Sequence, residues 1–304
     1  MRKLLLVLLV GLLSVASFAT VSFSGKASAG ISVTMDAAGN IALDIPWSGY
    51  FVASASDSST NTGFYAYFGT DFNASKFYIW QYLYKTDPLS VWYKLGSLSW
   101  GTNYVYNSAA ALGLLFDMAS GDLTDSLGVY AYFPTATSVD LDVFNSLSFL
   151  YFDIDVAAKG IVSAGAAGFP EIGADVTVDL GTALGLPEGS SLSAFAYLGL
   201  DPAAADVTNM LTGYTVGVDF GYDTVSGSFS FEGPDGVIAA SFETSALDPV
   251  TLGAWVEFPI NITAFTDISL GGYLDWAYEL LNNEIYVTYD GGDVTAGWDV
   301  TVYY

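Results

Sequence analysis

The sequence predicts an all-β protein, a transmembrane antiparallel β-barrel of about 16 strands, within a range of roughly 14 to 18. The mean hydropathy is +0.45 and 52% of the residues are hydrophobic. Beyond the N-terminus, however, no apolar run reaches the roughly 18 residues that a membrane helix needs. The apolar residues instead alternate with polar ones in short segments. Because only helices and closed barrels satisfy every backbone group in lipid, the alternation favours a barrel.

The N-terminus has the organisation of a secretory signal peptide. Arg2 and Lys3 precede an apolar run over 4–13, and a small-x-small cleavage site follows. Such a run is too short to span a bilayer. We therefore expect a signal peptide of residues 1–19 and one barrel domain of residues 20–304. The chain has no cysteine, so the exported protein forms no disulfide and carries no lipid on a cysteine.

The strand pattern is clearest in the C-terminal half. Residues 214–243 read as three strands of alternating character, with Gly233–Gly236 as a turn between the second and the third. A hairpin over 284–304 repeats the pattern around Asp290–Asp293. These strands have about the 9–11 residues that cross a bilayer at a barrel tilt. A secreted β-sandwich would show the same alternation, with its apolar face as the core, and is the alternative fold.

The last strand is the most regular. Trp298, Val300, Val302 and Tyr304 share one face, while the opposite face is small or polar. In a barrel, such an apolar face meets lipid and the opposite face lines the lumen. About 16 strands would leave an aqueous channel.

The charge is strongly negative. The chain holds 32 acidic and 7 basic residues, a net charge of −25. Many acids fall on the polar phase of the strands, and rings of carboxylates favour cations in a pore. Alternatively, these acids only keep the lumen wet and oppose aggregation. The expected pore-lining acids are Asp44, Asp153, Asp155, Asp175, Asp179, Asp219, Glu232, Glu243, Glu257, Asp267 and Asp299.

Residues 97–125 are the candidate constriction. The alanine- and leucine-rich piece over 109–119 has the composition of a short helix, although Gly113 weakens that prediction. The alternative is one more strand pair. In an internal loop, three acids would face three lysines across the pore and set a transverse field. These residues are Asp117, Asp122, Asp125, Lys76, Lys85 and Lys94.

Aromatic residues are unevenly distributed. Residues 153–194 contain only Phe169 and are rich in alanine and glycine. Because a lipid-facing wall normally carries interfacial aromatics, we expect this stretch to contribute to a homo-oligomer contact, as in a trimer. The alternative is a plain wall of small residues.

An enzyme is not expected. The chain has no histidine and no cysteine, which excludes Ser-His-Asp and Cys-His catalysis and the usual zinc ligands. No phosphate-binding glycine loop with a lysine is present, and the negative charge disfavours nucleic acid. We expect no cofactor and no metal. Three functions remain: a general, weakly cation-preferring channel, a sugar-specific channel with Trp92, Trp255 and Tyr286 as a stacking track, and a structural envelope-array protein anchored by a barrel.

The leader, the alternating strands and the final segment from Trp298 to Tyr304 together resemble bacterial outer-membrane porins. The scarcity of basic residues and the Gly/Ala-rich strands are similar to the toga porins of the Thermotogae. The resemblance implies an outer-membrane location, recognition of the C-terminal strand by the barrel-insertion machinery, and a trimer. General porins fold an internal loop into the lumen at about the position of 97–125, which is why that segment is the expected constriction.

Overall fold

The computed structural model describes residues 20–70, 74–135, 138–163, 166–167, 170–204, 207–234 and 236–303. The predicted signal peptide of residues 1–19 and the terminal Tyr304 lie outside the described residues. The division of the chain into leader and barrel therefore stays a prediction.

The described chain is built almost entirely of strands. Its first ten strands are β1 Thr20–Met35, β2 Ile41–Asp44, β3 Trp47–Asp57, β4 Thr62–Phe68, β5 Ala74–Thr86, β6 Leu89–Gly101, β7 Tyr106–Ser120, β8 Leu123–Thr135, β9 Ser138–Phe149 and β10 Phe152–Ser163. The others are β11 Ala166–Ala167, β12 Glu171–Asp179, β13 Ser190–Leu200, β14 Leu211–Tyr222, β15 Val225–Gly233, β16 Val237–Leu247, β17 Val250–Pro259, β18 Ser269–Tyr278, β19 Leu281–Asp290 and β20 Asp293–Tyr303.

The sheet closes on itself. β1 pairs with β20 on one side, from Lys26 opposite Tyr303 to Met35 opposite Val294, and with β3 on the other. The short β2 and β11 pair with β1 and β10. The remaining 18 strands form one antiparallel ring in which sequence neighbours are spatial neighbours. The predicted all-β barrel is confirmed, with a strand number at the top of the expected range.

The helix expected over 109–119 is wrong. These residues belong to β7, which pairs with β6 from Leu89 opposite Met118 to Gly101 opposite Tyr106, and with β8 on its other edge. Residues 97–125 thus form parts of three strands joined by two tight turns, which is the alternative interpretation. Helix propensity is a weak local preference, and backbone pairing on both edges of the strand overrides it.

Among the described residues, helical structure occurs in three short connections: α1 Leu180–Leu184, α2 Val207–Met210 and a 3-10 turn Phe265–Asp267. Within the described ranges, no helix has the length and apolar character to cross a membrane.

The two faces of the wall have opposite chemistry, and the strand register makes each face continuous around the ring. For example, Asp175 lies opposite Asp155 and Tyr197, and Thr215 lies opposite Tyr197 and Glu232. The other face carries large, exposed apolar side chains, among them Phe23, Ile79, Phe116, Val218, Phe229, Ile285 and Trp298. This sorting is what the alternating sequence predicts for a wall between lipid and water.

The polar face is the concave, inner face. The turn between β6 and β7, residues 102–105, reaches β12 through a hydrogen bond from the Asn103 backbone N–H to Asp175 (2.8 Å) and reaches β14 through Tyr104 and Thr215 (2.5 Å). Strands β8, β9 and β10 separate this turn from β12 along the wall. A four-residue turn can bridge that separation only through the interior of the ring.

Candidate functional site: the barrel interior

The interior is narrowed by the turn at 102–105. Gly101, at φ 129°, lets the chain leave β6 inward, and the Thr102 N–H donates to the Val105 carbonyl (2.8 Å). Thr102 and Val105 are 5% and 2% exposed, so the turn is packed against the wall and does not hang free in the lumen.

Three glycines form the surface on which this turn rests. A Cβ on Gly173 would lie 2.0 Å from Thr102 Oγ1 and 2.8 Å from Val105 Cβ. A Cβ on Gly199 or Gly213 would lie 2.6 or 2.3 Å from atoms of Tyr104. Real Cβ atoms do not approach this closely, so the glycine seat of Gly173, Gly199 and Gly213 is what admits the turn.

Polar contacts hold the turn on this seat. The backbone and side-chain amides of Asn103 both donate to Asp175, at 2.8 and 3.0 Å. The Tyr104 hydroxyl bonds to Thr215 and donates to Glu232 at 3.4 Å. Two of the acids predicted to line the pore therefore hold the narrowing element in place.

The register places all the predicted pore-lining acids except Asp267 on the inner face. These are Asp44, Asp153, Asp155, Asp175, Asp179, Asp219, Glu232, Glu243, Glu257 and Asp299. Asp267 lies instead in the 3-10 turn between β17 and β18, where its carboxylate accepts hydrogen bonds from the Thr263 and Ala264 backbone N–H groups. Its apparent polar phase is coincidental, because residues 260–268 form a loop.

Further inner-face acids were missing from the predicted set. They are Asp140, Asp142, Glu171, Asp275, Glu284, Asp290 and Asp293. Among the acids of the described strands, only Asp57 and Asp125 fall on the outer face, and both lie at or near a strand end. Extending the polar phase along each predicted strand would have found most of these residues.

Like charges face each other directly at several places. Asp155 is opposite Asp175, and Glu284 lies between Asp275 and Asp299 on the neighbouring strands. One carboxylate oxygen each of Asp175, Asp275 and Asp299 has no hydrogen-bond partner in the described chain. Directly opposed like charges destabilise a sheet. The acidic row of Asp275, Glu284 and Asp299 therefore concentrates negative potential and lowers the stability of the fold.

All lysines of the described chain also point inward: Lys26, Lys76, Lys85, Lys94 and Lys159. Lys159 pairs with Glu171 at 3.4 Å. Lys94 lies over the rings of Trp92 and Tyr78, with its Nζ 4.5 and 5.5 Å from their centroids. The charged residues of either sign are thus segregated from the apolar outer face.

The predicted constriction residues only partly share one surface. Lys76, Lys85, Lys94 and Asp117 are on the inner face of neighbouring strands, but Asp122 lies in the β7–β8 turn. Asp125 is on the outer face near the rim, where it accepts from the Asn145 amide at 2.6 Å. The acids and lysines of this set are therefore not arranged across the pore from each other.

The inner face of β5–β9, the aromatic wall, is closely packed. Trp100 stacks on Tyr130 with ring centroids 4.4 Å apart and 3° between the planes. Asp142, 1% exposed, accepts from Trp100 Nε1 (2.9 Å), the Asn107 amide (2.7 Å) and the Gly160 N–H (2.8 Å). Because three donors satisfy it, this buried carboxylate is tolerated.

On the inner face of β14–β20, the acidic wall, aromatic rings cover glycines, as Tyr130 covers Gly113 in the aromatic wall. The rings of Trp255, Tyr273 and Tyr286 lie over cross-strand glycines, because a Cβ on Gly271, Gly253 or Gly297 would fall within about 2.2–2.8 Å of them. A ring that covers a glycine lies along the wall and exposes its other face to the lumen. The sequence predicted Trp255 and Tyr286 for such a track, whereas Trp92 is in the aromatic wall and donates to Asp117.

The predicted insertion residues fall on one face of β20. Trp298 is opposite Ile285 and Ile31, on the outer face, and is 48% exposed. Val300 and Val302 share that face by register, and Tyr304 lies beyond the described strand. The apolar outer stripe of the closing strand is therefore present as far as Val302.

Solved structures of bacterial porins share this architecture. A mutant of the Rhodobacter blastica porin aligns with a TM-score of 0.55 at 12% identity, over 94% of this chain and 100% of that one. OpdQ of Pseudomonas aeruginosa aligns with a TM-score of 0.58 at 8% identity, over 94% and 97%. The barrel has the fold of bacterial porins. No family model and no curated protein matches the sequence.

Proposed function

We propose that this chain is an outer-membrane porin that forms a water-filled diffusion channel for small hydrophilic solutes, with a weak preference for cations and no enzymatic activity. The observation that carries the proposal is the segregation of charge. Lysines and nearly all strand acids face the interior, and large apolar side chains face outward. A soluble sandwich would bury the apolar face, whereas here that face is exposed and suited to lipid.

The dimensions fit a channel. Barrels of 16 to 18 strands leave an aqueous passage, whereas about eight strands are filled by side chains. The turn at 102–105 narrows that passage and brings Asp175 and Glu232 to its edge. Since the Debye length is about 8 Å at physiological salt, wall charges act on ions mainly where the passage is narrow.

The test is a reversal-potential measurement on purified protein in a planar bilayer under a KCl gradient. We expect K⁺ to permeate more readily than Cl⁻. Anion preference contradicts the proposed selectivity but leaves the channel intact. Absence of conductance in protein that has inserted as a heat-modifiable barrel contradicts the channel itself and favours a structural envelope-array role.

The outer-membrane location rests on β20. Its outward residues Trp298, Val300 and Val302 form the apolar stripe that we propose is recognised by the barrel-insertion machinery. Trp298→Asp is expected to reduce integration into outer membranes strongly, whereas Asp299→Asn, the inward neighbour, is not. Equal integration of the two variants contradicts this role. We also propose that the chain is similar to the toga porins, because its acidic residues greatly outnumber its basic residues.

A sugar-specific channel is the second candidate, favoured by the rings of Trp255, Tyr273 and Tyr286 that lie along the acidic wall. Aromatic faces with nearby carboxylates and hydroxyls suit pyranose rings. Saturable block of single-channel current by a linear oligosaccharide, relieved in Trp255→Ala, supports it. Unchanged current at high sugar concentration excludes it.

A homotrimer is proposed for the assembly, with 153–194 contributing to the contact. The outer face there is small and aliphatic, including Val156, Ala158, Ala174 and Ala194. Small side chains let two walls approach closely. Crosslinking in mild detergent should give trimers, and Ala174→Trp together with Ala194→Trp should shift them to monomers. A monomer in the unmodified protein contradicts the proposal.

A further inference from the structure

The aromatic wall contains a recess with positive character in a strongly acidic protein. The recess measures about 240 Å³ and opens to the lumen. Its inner-face lining consists of Tyr65, Lys76, Tyr78, Lys94, Leu98 and Tyr130. Two of the few lysines of the chain therefore meet in one place, beside three tyrosines.

Neither ammonium group forms a salt bridge in the described chain. Within the described residues, no carboxylate oxygen lies within 4.0 Å of Lys76 Nζ or Lys94 Nζ, in contrast to the Lys159–Glu171 pair. Lys94 is half-buried and makes its close contacts with the faces of Trp92 and Tyr78. These ring faces orient the ammonium, and the Asp117 carboxylate attracts it only from beyond salt-bridge distance.

The nearest acids are occupied elsewhere. Asp117 accepts from Trp92 Nε1 and from the Ser126 hydroxyl (2.6 Å). The carboxylate of Asp142, which lies opposite Tyr130, accepts hydrogen bonds from Trp100, Asn107 and Gly160. Neutral donors thus occupy both carboxylates, and neither carboxylate forms a salt bridge with Lys76 or Lys94. The ammonium N–H groups of the two lysines therefore remain available to a solute in the lumen.

The recess is rigid and offers further donors. Tyr65 stacks on Tyr78 with centroids 5.2 Å apart and 18° between the planes, and neither hydroxyl has a hydrogen-bond partner in the described chain. Gly96 and Gly113 lie opposite Tyr78 and Lys94, and the absence of a side chain at Gly113 admits the ring of Tyr130 that lines the recess. Two ammonium groups and free phenolic hydroxyls in a preformed hollow are a donor set for an oxyanion.

We propose that the recess formed by Lys76, Lys94, Tyr65 and Tyr78 is a binding site for the phosphate or carboxylate group of a small solute. The proposal deepens the proposed function, because it adds a solute class to a channel whose wider lining favours cations. The site holds the oxyanion by charge-assisted hydrogen bonds from the two lysines, with the tyrosine hydroxyls as additional donors. Its volume admits a single small acid or a phosphorylated group.

The test is isothermal titration calorimetry of the full barrel in detergent micelles at low ionic strength. The probes are inorganic phosphate, citrate and, as a cation, choline. Saturable binding of phosphate, of citrate or of both, and no binding of choline, is expected, and the better anion identifies the group recognised. Binding of neither anion at millimolar concentration overturns the proposal.

Variants distinguish the site from general charge. Lys76→Gln and Lys94→Gln should each weaken anion binding about tenfold, the loss of one charge-assisted contact. Lys26→Gln removes the same charge from the same face outside the recess and should change binding less than about twofold. Lys94→Arg keeps the charge and should retain most of the binding if Lys94→Gln does not fold. An equal loss in Lys26→Gln overturns the proposal.

Calorimetry separates this inference from the channel proposal, because it needs no conductance. Anion binding by a barrel that does not conduct sustains the site and contradicts the channel. Conduction without anion binding sustains the channel and contradicts the site. When both hold, the bound anion should also block single-channel current in the unmodified protein, but not in Lys76→Gln.

Discussion

The aromatic wall and the acidic wall face each other across one lumen but are built differently. In the first, rings stack on one another and a buried carboxylate accepts hydrogen bonds from several donors, as at Asp142. In the second, acids lie directly opposite acids, as Glu284 does between Asp275 and Asp299. The same alternating sequence pattern therefore yields one wall that acts as a core and one that acts as a solvent lining.

The largest expected difference concerns stability. Asp142→Ala removes the acceptor of three buried donors and should lower the free energy of unfolding by about 2–4 kcal/mol. Asp219→Ala, on the acidic wall, removes a carboxylate without a hydrogen-bond partner in the described chain and should cost less than about 1 kcal/mol. Guanidinium unfolding followed by tryptophan fluorescence measures both. If the two variants lose equal free energy of unfolding, the proposed distinction between the two walls is contradicted.

The inward turn provides the second comparison. A methyl group at Gly173 would collide with Thr102 and Val105, so Gly173→Ala should destabilise the barrel by about 1–3 kcal/mol and increase open-channel noise. Gly272→Ala is the matched control, because its new Cβ would meet only the Gly253 carbonyl at 3.4 Å. Quiet single-channel traces from Gly173→Ala would show that the turn does not control the passage.

The acidic row gives an effect of opposite sign on stability. Glu284→Gln removes repulsion with Asp275 and Asp299 and should raise the free energy of unfolding by about 0.2–1 kcal/mol. The same variant should lower the K⁺ to Cl⁻ permeability ratio in the reversal-potential assay. Asp117→Asn, whose carboxylate is covered by donors, should alter the ratio less. A lower stability of Glu284→Gln contradicts the interpretation of the row.

The smallest effect is expected in a loop outside the wall. Hydrogen bonds from the Thr263 and Ala264 backbone lower the pKa of Asp267 below its ordinary value of 3.8. Its contribution to loop order is therefore fully present above that ordinary value and is lost as pH falls through the lower, folded pKa. Amide exchange at 263 and 264 should accelerate below about pH 4. In Asp267→Asn this acid-induced acceleration should be absent, and if it persists another group is responsible.

Much of the barrel follows from the sequence because alternation and turn residues are local signals. The strands over 214–243, their turn at Gly233–Gly236 and the polar phase of most acids need only neighbouring residues to be identified. The stretch over 109–119 fails for the same reason. Its alanines and leucines favour a helix locally, and only pairing with β6 and β8 makes it a strand.

The features that shape the interior could not be predicted locally. The glycine seat brings together Gly173, Gly199 and Gly213 from three strands. The residues adjacent to these glycines in the sequence give no indication that Tyr104 packs against them. Asp142 and Asp153 look alike in alternating segments, but only Asp142 meets Trp100 and Asn107. Such contacts depend on register around the ring, which sets which distant residues become neighbours.

The turn at 102–105 also constrains the order in which the molecule can be assembled. It rests on β12, β13 and β14 and reaches β15, all of which follow it in the chain. The hairpin that carries it must therefore wait, with Thr102 and Val105 uncovered, until strands made later have joined the wall. Docking of the turn at 102–105 is therefore a late event in folding. Once docked, the turn links early and late parts of the polypeptide and limits how far the ring can flex.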